Sequence, residues 1–229
     1  MKQTSARTLT LLGIVLSIGF AGLFFFTRTS PKDNTARADS LSTPIVEQTD
    51  GKLAHATFAM GCFWHSEEMF SEIKGVISSM PGYSGGTEKD PSYEMVGTGS
   101  TRYAESVEVI YDPSVISYGK LLQVFFTEHD PTTPNYQAPD AGPQYRSVIF
   151  YHNDAQKKEA EDYIAKLTAM HSFKDPIVTE VVPFVKFYPA ESYHVRYYRR
   201  HPDEGYIAGV TRPEVEKFRR DFPELLKSE

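Results

Sequence analysis

The only cysteine of this chain is the residue best suited to carry chemistry. Cys62 lies in the run Gly61-Cys62-Phe63-Trp64, directly ahead of a helical pattern. A thiol attacks as its thiolate, and the unpaired N–H groups and dipole of a helix N-terminus favour that anion. The two aromatic side chains beside the sulfur can form an apolar wall for a small substrate group. The position indicates a nucleophile, and the alternative is a small buried core residue.

Four polar residues are further candidates for a site. Glu105 stands at the predicted start of a strand, where a sheltered carboxyl stays protonated near neutral pH and acts as an acid. A surface glutamate is the ordinary alternative. Asp140 lies in a turn-like Pro-Asp-Ala-Gly run, where an aspartate commonly has a structural role. Tyr93 and Tyr145 lie at junctions between loops and elements, and among 14 tyrosines neither is distinctive alone.

Strands and helices alternate along the chain and must position these residues. The patterns predict strands over residues 54–60, 76–83, 106–111, 147–152 and 179–187. They predict helices from residue 63 to a stop at Gly75, over 118–129, around Ala160 to Met170, and from a capping box Thr211-Arg212-Pro213-Glu214 onward. Residues 130–142 form a long polar loop. This order predicts a two-layer α+β domain.

Composition narrows the class of protein. Hydrophobic residues make up 40% of the 229 residues, which suits a packed globular core. The net charge of −6 gives no electrostatic reason to expect a nucleic-acid partner. One cysteine cannot form an internal disulfide, so the fold must be held by its core.

The N-terminal part of the chain reads as a membrane segment. Residues 8–26 carry no charge, and as a helix they would span about 28 Å, close to the hydrocarbon thickness of a bilayer. A cleaved signal peptide ending near Ala36-Arg37-Ala38 is the alternative. We expect an anchor within residues 1–26, a flexible stalk over 27–52, and a catalytic domain with a C-terminal helical extension over 53–229. The domain is expected outside the cytoplasm, in the periplasm if the source is bacterial.

A set of short motifs in fixed order carries a resemblance to a known family. Together they closely resemble the A-type peptide methionine sulfoxide reductases, over roughly residues 54–198. The motifs are Gly61-Cys62-Phe63-Trp64 with Glu67, Gly82-Tyr83-Ser84-Gly85-Gly86, Pro91-Ser92-Tyr93, Ala104-Glu105, Tyr111-Asp112-Pro113, His129-Asp130-Pro131 and Gln144-Tyr145-Arg146-Ser147.

The resemblance implies a fold and a role for each candidate. The implied fold is a two-layer α/β sandwich with a ferredoxin-like mixed sheet and flanking helices. The implied roles are a nucleophile at Cys62, methyl-binding aromatic residues at Phe63 and Trp64, a proton donor at Glu105, oxygen-side hydroxyls at Tyr93 and Tyr145, and a substrate-holding carboxylate at Asp140.

The implied reaction reduces the S epimer of methionine sulfoxide, free or in proteins, and so repairs oxidised proteins. It needs no cofactor or metal and leaves a sulfenic acid on Cys62. Many family members resolve that acid with further cysteines, which this sequence lacks. The reductant must then be an external thiol: thioredoxin, glutathione or another thiol partner. His65, Ser66 and Tyr103 also depart from the residues common in the family.

Two other classes of function compete with this interpretation. A cysteine hydrolase would pair Cys62 with a histidine base, such as His129 or His194. A membrane-tethered redox sensor would need only an oxidisable Cys62, and no substrate pocket. A metal site is weaker still, because His194 and His201 lie seven residues apart and one thiol offers no zinc cluster.

Overall fold

One buried side chain of the first strand shows how the layers are arranged. A computed structural model describes residues 53–228 of the chain. In β1 (Ala54–Met60), Phe58 is fully buried and its ring lies 5.3 Å from the rings of Phe70 and Phe125. These two side chains belong to different helices, so both helices cover the same face of the sheet.

The sheet has six strands, in the order β7 (Glu180–Pro183), β6 (Ser147–Tyr151), β1, β3 (Ala104–Tyr111), β2 (Val76–Ser84) and β8 (Phe187–Pro189). Each neighbouring pair among the four central strands is antiparallel, and β1 and β2 both pair with β3. The edge strand β7 pairs with β6 in parallel, which makes the sheet mixed. The order β6-β1-β3-β2 with helices after β1 and β3 is the ferredoxin-like arrangement, so the predicted α+β fold is confirmed.

The remaining elements follow in chain order. They are α1 (Phe63–Ser71), β2 (Val76–Ser84), α2 (Tyr93–Gly97), β3 (Ala104–Tyr111), α3 (Tyr118–Thr127), β4 (Tyr136–Gln137), β5 (Asp140–Ala141), β6 (Ser147–Tyr151), α4 (Asp154–Ala169), β7 (Glu180–Pro183), β8 (Phe187–Pro189), α5 (Tyr197–Arg200) and α6 (Arg212–Asp221). A π-helical turn, Ile207–Thr211, runs directly into α6.

The helix α1 ends at Ser71, four residues before the predicted stop at Gly75, which lies in the turn that follows. Gly75 adopts a φ of +85°, and a Cβ there would lie 2.9 Å from the side chains of Val115 and Ile116. Only glycine combines this backbone conformation with so close an approach. The chain can therefore turn back from α1 into β2 within a few residues.

Two predictions near the C-terminus are wrong. The strand predicted over residues 179–187 is two short strands, β7 and β8, which pair with opposite edges of the sheet. Pro183 ends the first of them, because proline has no N–H to continue a ladder. The capping box at Thr211 does not form: Thr211 has helical φ and ψ and no capping hydrogen bond, because the π-helical turn precedes it.

One loop also differs from the sequence prediction. The polar loop over residues 130–142 contains a two-residue hairpin, in which Tyr136 pairs with Ala141 and Gln137 pairs with Asp140. The predicted anchor and stalk, residues 1–52, lie outside the described residues. Within residues 53–228, every helix is too short or too polar to cross a bilayer.

Phe58 provides a test of the core. Replacing Phe58 with alanine would leave a cavity between β1, α1 and α3, so we expect Phe58→Ala to lower the free energy of unfolding by about 3–5 kcal/mol. Urea unfolding followed by circular dichroism measures this change. Ile77→Ala is the control, since Ile77 is half exposed and should shift the value by no more than about 0.5 kcal/mol.

Candidate active site

The site begins where β1 turns into α1. Gly61 adopts a φ of +95°, and a Cβ there would lie 2.9 Å from the Gln137 side chain. This turn places Cys62 at the N-cap of α1, with Phe63 as the first helical residue. The predicted position of the thiol at a helix start is confirmed.

The expected acidification of the resting thiol is wrong. Cys62 is only 8% exposed, and burial raises the pKa of its thiol well above the ordinary value. The negative charge of Glu105 raises this pKa further, and that of Asp140 adds a smaller increase. The backbone N–H of Trp64 and the nearby Tyr206 hydroxyl lower the pKa of the thiol, but they do not offset burial. Free Cys62 is therefore a neutral thiol at neutral pH.

Sheet register brings Glu105 to the same place. Phe58 pairs with Val107, so the end of β1 lies beside the start of β3, where Glu105 is the second residue. The Phe63 N–H donates to Oε2 of Glu105 at 3.0 Å. Burial raises the pKa of Glu105 to about 8, against the lowering effect of that N–H. The predicted protonated carboxyl therefore contacts the backbone N–H of the residue that follows Cys62.

The predicted aromatic wall is also assembled. Phe63 is fully buried, and its ring lies 6.3 Å from that of Tyr93 in a stacked arrangement. Trp64 is partly buried, and its ring stacks on Tyr197 at 4.0 Å. The Trp64 indole N–H donates to Nδ1 of His194 at 3.0 Å. These contacts fix both rings beside the sulfur.

The remaining predicted residues converge on the thiol and Glu105. Burial raises the pKa of Tyr93 and of Tyr145, and the nearby charges of Glu105 and Cys62 raise both further. Burial likewise raises the pKa of Asp140. The charges of both groups act on both hydroxyls, so each phenol lies near the thiol and the carboxyl.

Sequence reasoning missed Tyr206 and Tyr197, and it named His194 only as a possible hydrolase base or metal ligand. The Tyr206 hydroxyl donates to Oδ2 of Asp140 and lies near the Cys62 side chain. His194 and Tyr197 hold Trp64, as described above. All three come from the C-terminal segment, where the density of tyrosines between residues 193 and 206 was the one signal that could have found them.

The structure does not support the hydrolase alternative. Both ring nitrogens of His129 are engaged, with the Phe125 carbonyl and the Ser147 hydroxyl. Nδ1 of His194 is engaged by Trp64. Burial lowers the pKa of both histidines to about 4, which makes them weak bases. Within residues 53–228, no group of three or more histidine, cysteine or acidic side chains is arranged to hold a metal ion.

The geometry restricts the chemistry that this site can perform. A buried thiol faces a buried protonated carboxyl and three phenols, and rigid aromatic rings close the space on one side. Such a site suits a small neutral group that has an apolar end beside the rings and an oxygen to be protonated. The nucleophile and the acid act on adjacent atoms.

Comparison with known proteins agrees with this arrangement. The family described as peptide methionine sulfoxide reductase matches residues 54–226. A peptide methionine sulfoxide reductase MsrA of Polynucleobacter asymbioticus is 45% identical over 182 residues, covering 80% of this chain and 96% of its own. One from Methanosarcina acetivorans is 50% identical over 171 residues, covering 75% and 89%.

Solved structures show the same likeness. Mxr1 of Saccharomyces cerevisiae in reduced form superposes with a TM-score of 0.62 at 37% identity, covering 69% of this chain and 90% of its own. Methionine sulfoxide reductase A of Corynebacterium diphtheriae gives a TM-score of 0.60 at 32% identity, covering 66% and 76%.

The charge of Glu105 provides a test of the site's electrostatics. Replacing Glu105 with glutamine removes a negative charge that raises the pKa of Cys62, so Glu105→Gln should lower that pKa. The pH dependence of iodoacetamide alkylation measures the change, because Cys62 is the only thiol. Cys62→Ser is the control for background labelling. An unchanged or higher pKa in Glu105→Gln would contradict the proximity of the two groups.

Proposed function

The chain belongs to the peptide methionine sulfoxide reductase family and reduces methionine sulfoxide to methionine with thiols as reductant, and we propose how its residues do so. Cys62 is the nucleophile and Glu105 is the acid. The observation that carries this assignment is the hydrogen bond from the Phe63 N–H to Glu105, which fixes a protonated carboxyl beside the sulfur.

The reaction balances within these two residues. The Cys62 thiolate attacks the electrophilic sulfur of the sulfoxide while Glu105 protonates the sulfoxide oxygen, which is otherwise a poor leaving group. The hydroxyl then passes from the substrate sulfur to the Cys62 sulfur and the transient sulfur–sulfur bond breaks, so Cys62 becomes a sulfenic acid and methionine leaves as the thioether. The substrate sulfur gains the two electrons that the Cys62 sulfur loses. Glu105 takes up the thiol proton to reach the reactive form and becomes a carboxylate again when it protonates the oxygen.

The walls of the site select the substrate. Phe63 and Trp64 hold the S-methyl group, while the hydroxyls of Tyr93 and Tyr145 donate to the oxygen. A sulfoxide sulfur is chiral, so fixed places for its methyl group and oxygen admit one epimer. We assign the S epimer to this site, on the resemblance noted above. Asp140, held by the Tyr206 hydroxyl, binds the substrate on the remaining side.

An external thiol completes the cycle. The sequence contains no second cysteine, so the sulfenic acid on Cys62 is reduced by a thiol from another molecule. Thioredoxin or a small thiol such as glutathione can do this. The first thiol displaces water and forms a mixed disulfide with Cys62, and a second thiol releases the free enzyme.

The location of the domain follows from the N-terminal sequence alone. We propose that residues 8–26 anchor the chain in a membrane and that residues 27–52 carry the domain on its outer side. Membrane fractionation and N-terminal sequencing of the mature chain test this. A mature chain that begins just after Ala38 would show cleavage and rule out the anchor.

Substrate choice and residue roles can be tested together. Protein spanning residues 53–229 would be incubated with each epimer of a methionine sulfoxide derivative and dithiothreitol. We expect turnover of the S epimer, none with Cys62→Ser, and a loss of about 10²–10⁴ in rate with Glu105→Gln. Equal turnover of the two epimers would contradict the shaped pocket. Turnover of an ester probe would favour the hydrolase.

The pH dependence tests the coupling of the two groups. In the reactive form Cys62 is a thiolate and Glu105 is a carboxylic acid, so the pair holds one proton. The form with a thiol and a carboxylate also holds one proton and is more abundant. Since the pKa of Glu105 is about 8 and that of Cys62 lies higher, the one-proton form of the free enzyme accumulates above about pH 8. We therefore expect kcat/KM to rise with pH to a plateau above about pH 8. In Glu105→Gln, the rise in kcat/KM near pH 8 should disappear. If that rise persists in the variant, Glu105 is not the group that titrates there.

A further inference from the structure

We propose that Glu68 and Arg199 are positioning residues, which brace Trp64 by clamping α5 onto α1 and so set the width of the methyl pocket. This inference rests on the proposed function, because it concerns the residue assigned there to the substrate methyl group. Neither Glu68 nor Arg199 touches the thiol. Both act through the segment that covers Trp64.

The bracing contacts come from a short piece of chain. Tyr197 stacks on Trp64 with 9° between the ring planes, and His194 accepts the indole N–H. Tyr197 is the first residue of α5, and His194 lies three residues earlier. The face of Trp64 that would otherwise meet solvent is therefore covered by α5 and the turn before it.

This piece of chain cannot hold itself in place. The helix α5 has only four residues, and none of them is buried. Arg196, at its N-cap, has a φ of +55°, a left-handed conformation that is strained for a side chain of this size. A strained cap on a single turn persists only when contacts from elsewhere impose it. Tyr198 of α5 packs against the hydrophobic core, and the polar contacts come from α1.

Two adjacent glutamates of α1 supply them. Both carboxylate oxygens of Glu67 accept the Arg196 N–H at 2.9 Å, which holds the strained residue. Both oxygens of Glu68 accept from Nε of Arg199 at 2.9 Å. These contacts, which we call the clamp, therefore hold α5 at its N-cap and at its third residue.

Helix periodicity links the clamp to the pocket. Trp64 and Glu68 are four residues apart on α1 and share one face. The helix α5 lies across that face, with Tyr197 over Trp64 and Arg199 on Glu68. A shift of α5 on the Glu68 side must therefore move Tyr197 relative to Trp64.

The electrostatics of the clamp favour a fixed geometry. The Glu68 side chain is 4% exposed, and burial raises the pKa of its carboxyl to about 7, while the hydrogen bond from Arg199 lowers it. A nearly buried carboxylate that loses its partner is strongly disfavoured. The second guanidinium near Glu68 is that of Arg219, at 3.8 Å, which mainly pairs with Glu72. Arg199 is therefore the main partner of Glu68.

The test uses Trp64 as its own reporter, because it is the only tryptophan of the chain. Arg199→Met removes the clamp from α5, and Glu68→Gln weakens it from α1 without burying an unpaired charge. In both variants we expect red-shifted tryptophan emission, a KM for the S epimer raised roughly 10-fold with a smaller change in kcat, and a higher ratio of R to S turnover. Arg199→Lys should restore part of each effect.

Lys217→Met is the matched control. Lys217 pairs with Glu128 at 3.1 Å, and that carboxylate is as buried as the carboxylate of Glu68. Lys217→Met should lower the thermal unfolding temperature about as much as Arg199→Met does. Tryptophan emission, KM and the ratio of R to S turnover should stay at their wild-type values. Wild-type emission and KM in both Arg199→Met and Glu68→Gln would overturn the proposal, as would equal changes in Lys217→Met. If the wild-type protein is inactive on both epimers, the proposed function is refuted. Tryptophan emission of the variants would still show whether Glu68 and Arg199 brace Trp64.

Discussion

The site depends on the burial of one carboxyl group against the start of one helix. Glu105 is held by a single backbone N–H, that of Phe63, in a setting from which water is nearly absent. One neutral donor is too little to stabilise a carboxylate there, so burial prevails and the group keeps its proton near neutral pH. The same burial keeps Cys62 neutral until a substrate arrives. One feature of the fold therefore raises the pKa of both groups.

That feature follows from strand order. Because β3 lies between β1 and β2 and runs antiparallel to both, its first residues meet the last residues of β1. The chain leaves β1 at Gly61, and α1 begins over this meeting point. In the register of β3 with β2, Glu105 also lies opposite Tyr83, whose hydroxyl donates to Glu191. Glu191 in turn accepts the Tyr93 N–H, which ties a phenol of the site to the sheet.

The sequence sufficed for local structure and for residues that belong to motifs. The apolar alternation over residues 54–60 predicted β1 with its observed bounds, and the start of α1 at Phe63 was equally clear. The role of the C-terminal segment could not be predicted, because its contacts with the site join residues more than 100 positions apart. Tyr206 lies near the thiol, and His194 and Tyr197 contact Trp64. The pKa of Cys62 could not be anticipated either. Helix position was visible in the sequence, whereas burial, which outweighs it, depends on the packed neighbours.

Burial of the sulfur also constrains the order of events in the cycle. Cys62 is 8% exposed, so only a small part of this residue is open to a substrate or a reductant. Methionine has to leave before an external thiol can attack the sulfenic acid. An enzyme with this site therefore alternates between two half-reactions, the pattern of ping-pong kinetics. The rigid aromatic wall that selects the sulfoxide in the first half also limits how a thiol can approach in the second.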